Sequence, residues 1–270
     1  MSDPMSIAVL AGAAVGGGVG GAAGKFTELA FQQGKEWVNE YFYKHRPTAI
    51  QKAQQNTSEF LIEMSNRVSK LENTKVKDIL EDPEFSSLLQ KAVLTSAQTD
   101  NKEKHKLLAD LLSERLKCDS ESNFTVGCKM AVNVLEYLTS HHLQILAFIC
   151  ELRYVMTSEF PSYEALKLHL DKRLTPYLNI QISSYDLMHL ESLSCTTHEF
   201  MYKNNVSGLL VKKSKYYSDE YLQTEIGGKI NSIWNSPMEG MTLTISGLIL
   251  GWNVIADKFS EPPFSERFIG

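Results

Sequence analysis

Little in this sequence points to chemistry. Its 270 residues include only four cysteines, Cys118, Cys128, Cys150 and Cys195, at spacings that match no disulfide framework. A chain long enough to bury a sizeable core does not need such staples, so the cysteines read as buried or incidental thiols of a reducing compartment. The opening Met1-Ser2-Asp3-Pro4 puts no lysine or arginine ahead of the first apolar run. Without that charged region, secretion is not expected. The net charge is only −5, so nothing draws the whole surface towards nucleic acid or anionic lipid, and such binding would need a local basic patch.

Catalytic signatures are absent too. No P-loop, GxSxG, HExxH or paired CxxC occurs. The run Gly16-Gly17-Gly18-Val19-Gly20-Gly21 lacks the Gly-Lys-Ser/Thr ending of a phosphate cradle. Cys195 and His198, with His189 nearby, are spaced like half a zinc site, but a structural zinc needs four ligands in a dry shell. His141 and His142 are adjacent, so on a helix they point about 100° apart and cannot grip one ion together. No catalytic residue, cofactor site or metal site is expected, and the reading is not an enzyme.

What is present is a glycine row. Residues 5–24 carry no charge, and Gly12, Gly16, Gly20 and Gly24 recur at every fourth position, with Ala8 continuing the row upstream. In a helix this spacing makes a ridge without side chains, against which a second helix can approach closely. Twenty helical residues span about 30 Å, the hydrocarbon thickness of a bilayer. Glycine disfavours an isolated helix by about 1 kcal/mol per residue relative to alanine, so one copy inserts weakly and several packed copies insert better. The flanking Phe26, Phe31, Trp37, Tyr41, Phe42 and Tyr43 suit a membrane interface, and Lys25, Lys35, Lys44 and Arg46 suit its cytoplasmic side. Close packing inside a soluble assembly and a loose tail are the rival readings.

The rest of the chain reads as helix after helix. From residue 25 to 44 the apolar positions Phe26, Ala30, Trp37 and Tyr41 keep helical spacing. Pro47 marks a boundary. Ile50, Thr57, Met64 and Leu71 then step by seven, with Ala53, Phe60, Leu61 and Val68 between them, which suits a helical hairpin or short coiled coil. Asp82-Pro83 is a helix start. Leucine stripes follow around 83–93 and 107–116, then a segment at 124–138. The helix opened by Ser140 is apolar nearly all round until Arg153, which places it in a core. Beyond Phe160, short helices are expected at 162–174 and 184–193. The stretch 207–217 reads as β-prone or turn-rich. A helix is expected at 219–234, a short strand at 241–244, a closing helix at 245–259 and an irregular tail around Pro262-Pro263. The expected fold is mainly α: a glycine-zipper segment with its aromatic helix at 1–46, a helical bundle at 47–158, and a winged-helix-like α-rich region at 159–270.

Three stretches carry a resemblance: DPEFSSLLQKA from Asp82, leading into KLLADLLSERL; LEYLTSHHLQILAFICELRYV from Leu135; and LTISGLILG from Leu243. Over roughly residues 75–258 the chain resembles the bacterial abortive-infection alpha-type proteins and neighbouring families. That resemblance implies a helical body with a winged-helix-like region and a part in defence against phage. It supplies no catalytic residues, and the glycine row lies outside it.

The strongest nucleic-acid candidates are Lys203, Lys212, Lys213 and Lys215 beside Tyr216 and Tyr217, which on a hairpin could contact phosphates as a wing does. The helix that would enter the groove, 184–193, carries Asp186 and Glu191 and no lysine or arginine. Phosphate would repel those carboxylates, so protein contact is the better reading of the region. The expected protein is a self-associating, phage-defence-type effector, cytoplasmic with inner-membrane association. Gly12, Gly16, Gly20 and Gly24 form its contact ridge, with Phe26, Trp37 and Tyr41 beside them. Expected partners are further copies of itself, inner-membrane lipid and another defence protein. A soluble homo-oligomeric scaffold binding another defence protein is the alternative, and a DNA-binding regulator using Lys212, Lys213 and Lys215 comes third.

Overall fold

The computed structural model describes residues 22–71, 82–118, 122–155, 160–199, 204–234 and 238–268. Among them it is mainly α, with twelve helices and two three-residue strands. They fall into two compact units, one ending at Tyr137 and the other starting at Leu138.

The first unit holds α1 (Ala22–Phe42), α2 (Pro47–Val68), α3 (Pro83–Ala97), α4 (Lys102–Arg115) and α5 (Asn123–Leu135). Its helix starts are written in the sequence. Asp82 accepts the Glu84 N–H at 2.9 Å ahead of Pro83, Asn101 accepts that of Glu103 at 2.9 Å, and Ser122 accepts that of Thr125 at 3.1 Å. α2 lies against α1, α3 and α4, and it buries Ala53, Thr57, Phe60, Leu61, Met64 and Val68, which are members of the seven-residue repeat and the apolar positions between its steps. On α1 the buried apolar side chains are Phe26, Ala30, Phe31 and Val38, and Thr27 and Gly34 are buried with them. α1 therefore packs on α2 and α3 as part of this unit rather than standing apart at 1–46.

The second unit comprises α6 (Ser140–Arg153), α7 (Tyr163–Leu174), α8 (Ser184–Ser192), β1 (Thr196–His198), α9 (Val206–Val211), α10 (Glu225–Trp234), β2 (Met241–Leu243), α11 (Ile245–Phe259) and α12 (Phe264–Phe268). Nine of the fourteen residues of α6 are buried, which makes it the centre of this unit. It runs against α11 and touches β2. That packing is why the boundary falls at 137/138 and not at 158/159, where the sequence placed it.

Two glycines four residues apart bring α11 close to its neighbours, Gly251 to α6 and Gly247 to the turn before β1. A Cβ on Gly251 would lie 2.6 Å from the carbonyl oxygen of Leu146 in α6, and one on Gly247 would lie 1.9 Å from that of Cys195. Thr244 caps α11 and fixes the approach: its hydroxyl donates to the Ser194 carbonyl at 2.6 Å and accepts the Gly247 N–H at 3.3 Å.

The strands pair antiparallel, with Thr196 opposite Leu243, Thr197 opposite Thr242 and His198 opposite Met241. No hairpin joins them; α9 and α10 intervene in the chain. The stretch 207–217, expected as β-prone or turn-rich, begins as the last part of α9. Asn205 accepts the Gly208 N–H at 2.8 Å, and Val206, Leu209 and Leu210 are buried at helical spacing. The helix expected at 219–234 starts as a 3-10 turn, Asp219–Gln223, and restarts at Glu225. The expected irregular tail contains the short α12.

Candidate functional site

Gly12, Gly16 and Gly20 lie outside the described residues, as does Lys203. Gly24 lies in the first turn of α1 and is half-buried. Just beyond it α1 is fastened to its unit: the Phe26 ring centroid lies 6.2 Å from that of Phe85, and the Thr27 and Ser65 hydroxyls are 3.3 Å apart. Phe26, 1% exposed, therefore serves the core rather than an outward face. Trp37 is half-buried, and Tyr41 is 53% exposed.

Tyr41 lines a groove of about 420 Å³ together with Lys91, Leu94, Gln98, Glu136 and Tyr137. That volume is within the range of small-molecule and anchor-residue sites. Its charged members pair with each other. Lys91 Nζ pairs with Glu136 Oε1 at 2.7 Å, and Lys104 donates to the Glu136 carbonyl at 3.4 Å. Burial pushes the Glu136 carboxyl up, but hydrogen bonds from Lys91 and Tyr137 and the two lysine charges outweigh it, so the net shift is downward. The same hydrogen bond to Glu136 holds the Tyr137 hydroxyl above its ordinary range. With its charges already paired, the groove offers a partner the rings of Tyr41 and Tyr137 beside Leu94. Exposed tyrosines are frequent anchors of protein contacts. Sequence reasoning named Tyr41 but missed Tyr137, which no local pattern distinguishes from other tyrosines.

The three lysines proposed for phosphate do not form a patch on a wing. Lys213, expected to be exposed, is withdrawn into the second unit. Its ammonium donates to the Glu151 carbonyl at 3.1 Å and to that of Val155, closing the C-terminal end of α6. Burial brings its pKa down to about 8. Lys212 donates to Asn204 Oδ1 at 3.3 Å, and Lys215 lies 5.2 Å from the centroid of the Tyr216 ring. Both remain at the surface, where α9 gives way to turns.

Cys195 is buried at the head of β1, and burial pushes its thiol up to about 12. An activated cysteine would be shifted the other way. His198 packs against Gly240. Among the described residues no group of three or more His, Cys, Asp or Glu is arranged to hold a metal ion. No described helix is long and apolar enough to cross a membrane.

His141 and His142 meet a common partner after all. Their Nε2 atoms lie 3.7 and 3.4 Å from different oxygens of the Asp186 carboxylate on α8. The His189 ring lies 4.7 Å from that of His142, tilted by 30°.

In comparisons with known proteins, the model of an uncharacterised protein family matches residues 24–248. Neither the curated proteins nor the solved structures contain a match.

Proposed function

The chain belongs to that uncharacterised family, and we propose that it is a non-enzymatic, self-associating protein, a phage-defence effector acting at the inner membrane through its glycine row. The observation that carries this reading is the fastening of α1. The last glycine of the row sits in the first turn of a helix held by Phe26 and Thr27, so a packed body presents the row from a fixed point. The second unit adds support by example, because Gly251 lets α11 reach the backbone of α6, and Gly247, four residues earlier, lets it reach that of Cys195. In the proposed state, Gly12, Gly16, Gly20 and Gly24 form the ridge between copies. Trp37 and Tyr41 sit beside it, and Phe26 stays in the core.

Replacing Gly16 and Gly20 with leucine tests this. Toxicity on expression and sedimentation with membranes are both expected to fall to background, while far-UV circular dichroism keeps the helical signal of the body. If toxicity and membrane association are both unchanged, the reading fails.

A soluble homo-oligomeric scaffold that binds another defence protein is the second reading. It is favoured by the Tyr41–Tyr137 groove, whose internally paired floor suits a protein side chain. On this reading α8, β1 and β2 form a winged-helix-like contact module, with Tyr185 and Met188 of α8 turned outward at 83% and 64% exposure. Fractionation separates the two: the scaffold stays wholly in the supernatant with a defined stoichiometry. With Lys213 drawn inward, the DNA-binding reading has lost one of its three contacts.

A further inference from the structure

α6 begins with a capping box of unusual composition. Thr139 Oγ1 accepts the His142 N–H at 3.2 Å, and His142 Nδ1 accepts the Thr139 N–H at 3.2 Å. Such boxes ordinarily close with glutamate or glutamine, whose oxygens accept a hydrogen bond throughout the neutral range. An imidazole nitrogen accepts only while the ring is neutral and its proton sits on the other nitrogen. That tautomer places the Nε2 proton of His142 towards Asp186 Oδ1, 3.4 Å away.

Asp186 is not a bystander. It closes the capping box of α8, where its Oδ2 accepts the Ser183 N–H at 2.8 Å and its own N–H donates to Ser183 Oγ at 3.2 Å. The starts of α6 and α8 are thus joined through Asp186, which faces both His141 and His142, and through the His142 and His189 rings. The ionisable groups facing His142 are His141 on its own helix and Asp186 and His189 on α8.

We propose that His142 makes the start of α6 a proton-controlled joint, closed while the ring is neutral and open once it is protonated. A proton on Nδ1 would set two donors face to face, leave the Thr139 N–H without its acceptor, and put a positive charge at the positive end of a helix. It would also oppose His189 and His141, with Asp186 alone as compensation. In keeping with this, the His142 pKa is held below its ordinary value, first by burial and then by His189. The sign follows. With the folded-state pKa lowered, the unfolded or open state binds the proton more readily. The cap's contribution is complete above the ordinary histidine pKa of about 6.5 and is lost as pH falls below it. The proposal goes beyond the membrane reading and needs none of it.

Amide hydrogen exchange on the purified full chain at pH 7.5 and 5.5, corrected for intrinsic rates, tests it. Exchange of the first-turn amides of α6 is expected to rise about fivefold in the open equilibrium at pH 5.5, the ratio that corresponds to a cap of about 1 kcal/mol. His142→Gln keeps an acceptor at every pH and is expected to remove that response, whereas His141→Gln retains it. An absent response, or an equal one in His142→Gln, overturns the proposal. Should the glutamine variant not fold, a nitrogen-detected titration of the unaltered chain decides: the Nε2–H tautomer at pH 8 is required, and Nδ1–H overturns the proposal.

Discussion

Replacing Arg173 with methionine is expected to destabilise the second unit by about 3–5 kcal/mol, the cost of leaving one member of a buried ion pair alone. Arg173 on α7 is 5% exposed. Its Nε and Nη2 hold the two oxygens of Glu151 on α6 at 2.9 and 2.7 Å. Its Nη1 reaches Glu261 beyond α11 at 2.5 Å, and the guanidinium lies 4.1 Å from the centroid of the Phe259 ring. One side chain therefore ties three parts of the unit together. Removing it strands the Glu151 carboxylate, which burial pushes towards its neutral form and which Arg173 holds against that push. Two results should follow in urea denaturation. The loss in the single variant should shrink as pH falls and Glu151 takes up a proton. The double variant Glu151→Met with Arg173→Met should also be more stable than Arg173→Met alone, because no charge is stranded. A loss below about 1 kcal/mol in the single variant would show that the pair is solvated.

The second large effect is expected at Gly251. Alanine there places its Cβ 2.6 Å from the Leu146 carbonyl oxygen, 2.9 Å from the carbon of the same carbonyl and 3.1 Å from the Cβ of Cys150. A backbone oxygen cannot swing aside, so α11 must move away from α6 and loosen contacts along its length. The expected cost is about 2–3 kcal/mol, towards the upper end of the overpacking range. Gly34→Ala on α1 is the matched control. Its Cβ would meet the tip of Leu61 at 3.2 Å. That tip can rotate, and alanine gains up to about 1 kcal/mol in helix propensity, so the net change is expected within about 1 kcal/mol of zero. If the two substitutions cost the same, the close approach of α6 and α11 does not depend on glycine.

Much of this architecture was legible because caps and periodicity agreed. Ile245–Phe259 forms over the bounds the sequence suggested, since Thr244 caps a largely apolar run that continues to Ala256 and the helix ends at Ser260 in the left-handed conformation. The seven-residue repeat of α2 names its inner face for the same reason. α9 was missed because Gly208 and the lysines after Val211 outweigh six helical residues whose only strong signal is Asn205. On α1 the expected stripe held at Phe26 and Ala30 and failed towards its end. Trp37 lies at the edge of the buried face, and Tyr41 lies in the last turn, where that face opens into the groove. Lys213 could not have been placed by composition. Its ammonium is drawn inward by the carbonyls at the end of α6, partners more than fifty residues away in the chain. The clearest missed signal was Gly247–Gly251, which has the spacing that singled out the N-terminal row.

That N-terminal row is where the functional account is most exposed to test. In a Cys118→Ser background, which removes the one native cysteine that is not buried, Gly20→Cys should give a disulfide-linked dimer in cells after mild oxidation. Glu28→Cys, on the exposed side of α1, should stay monomeric under the same treatment. Cross-linking of both, or of neither, would mean that copies do not meet along the glycines.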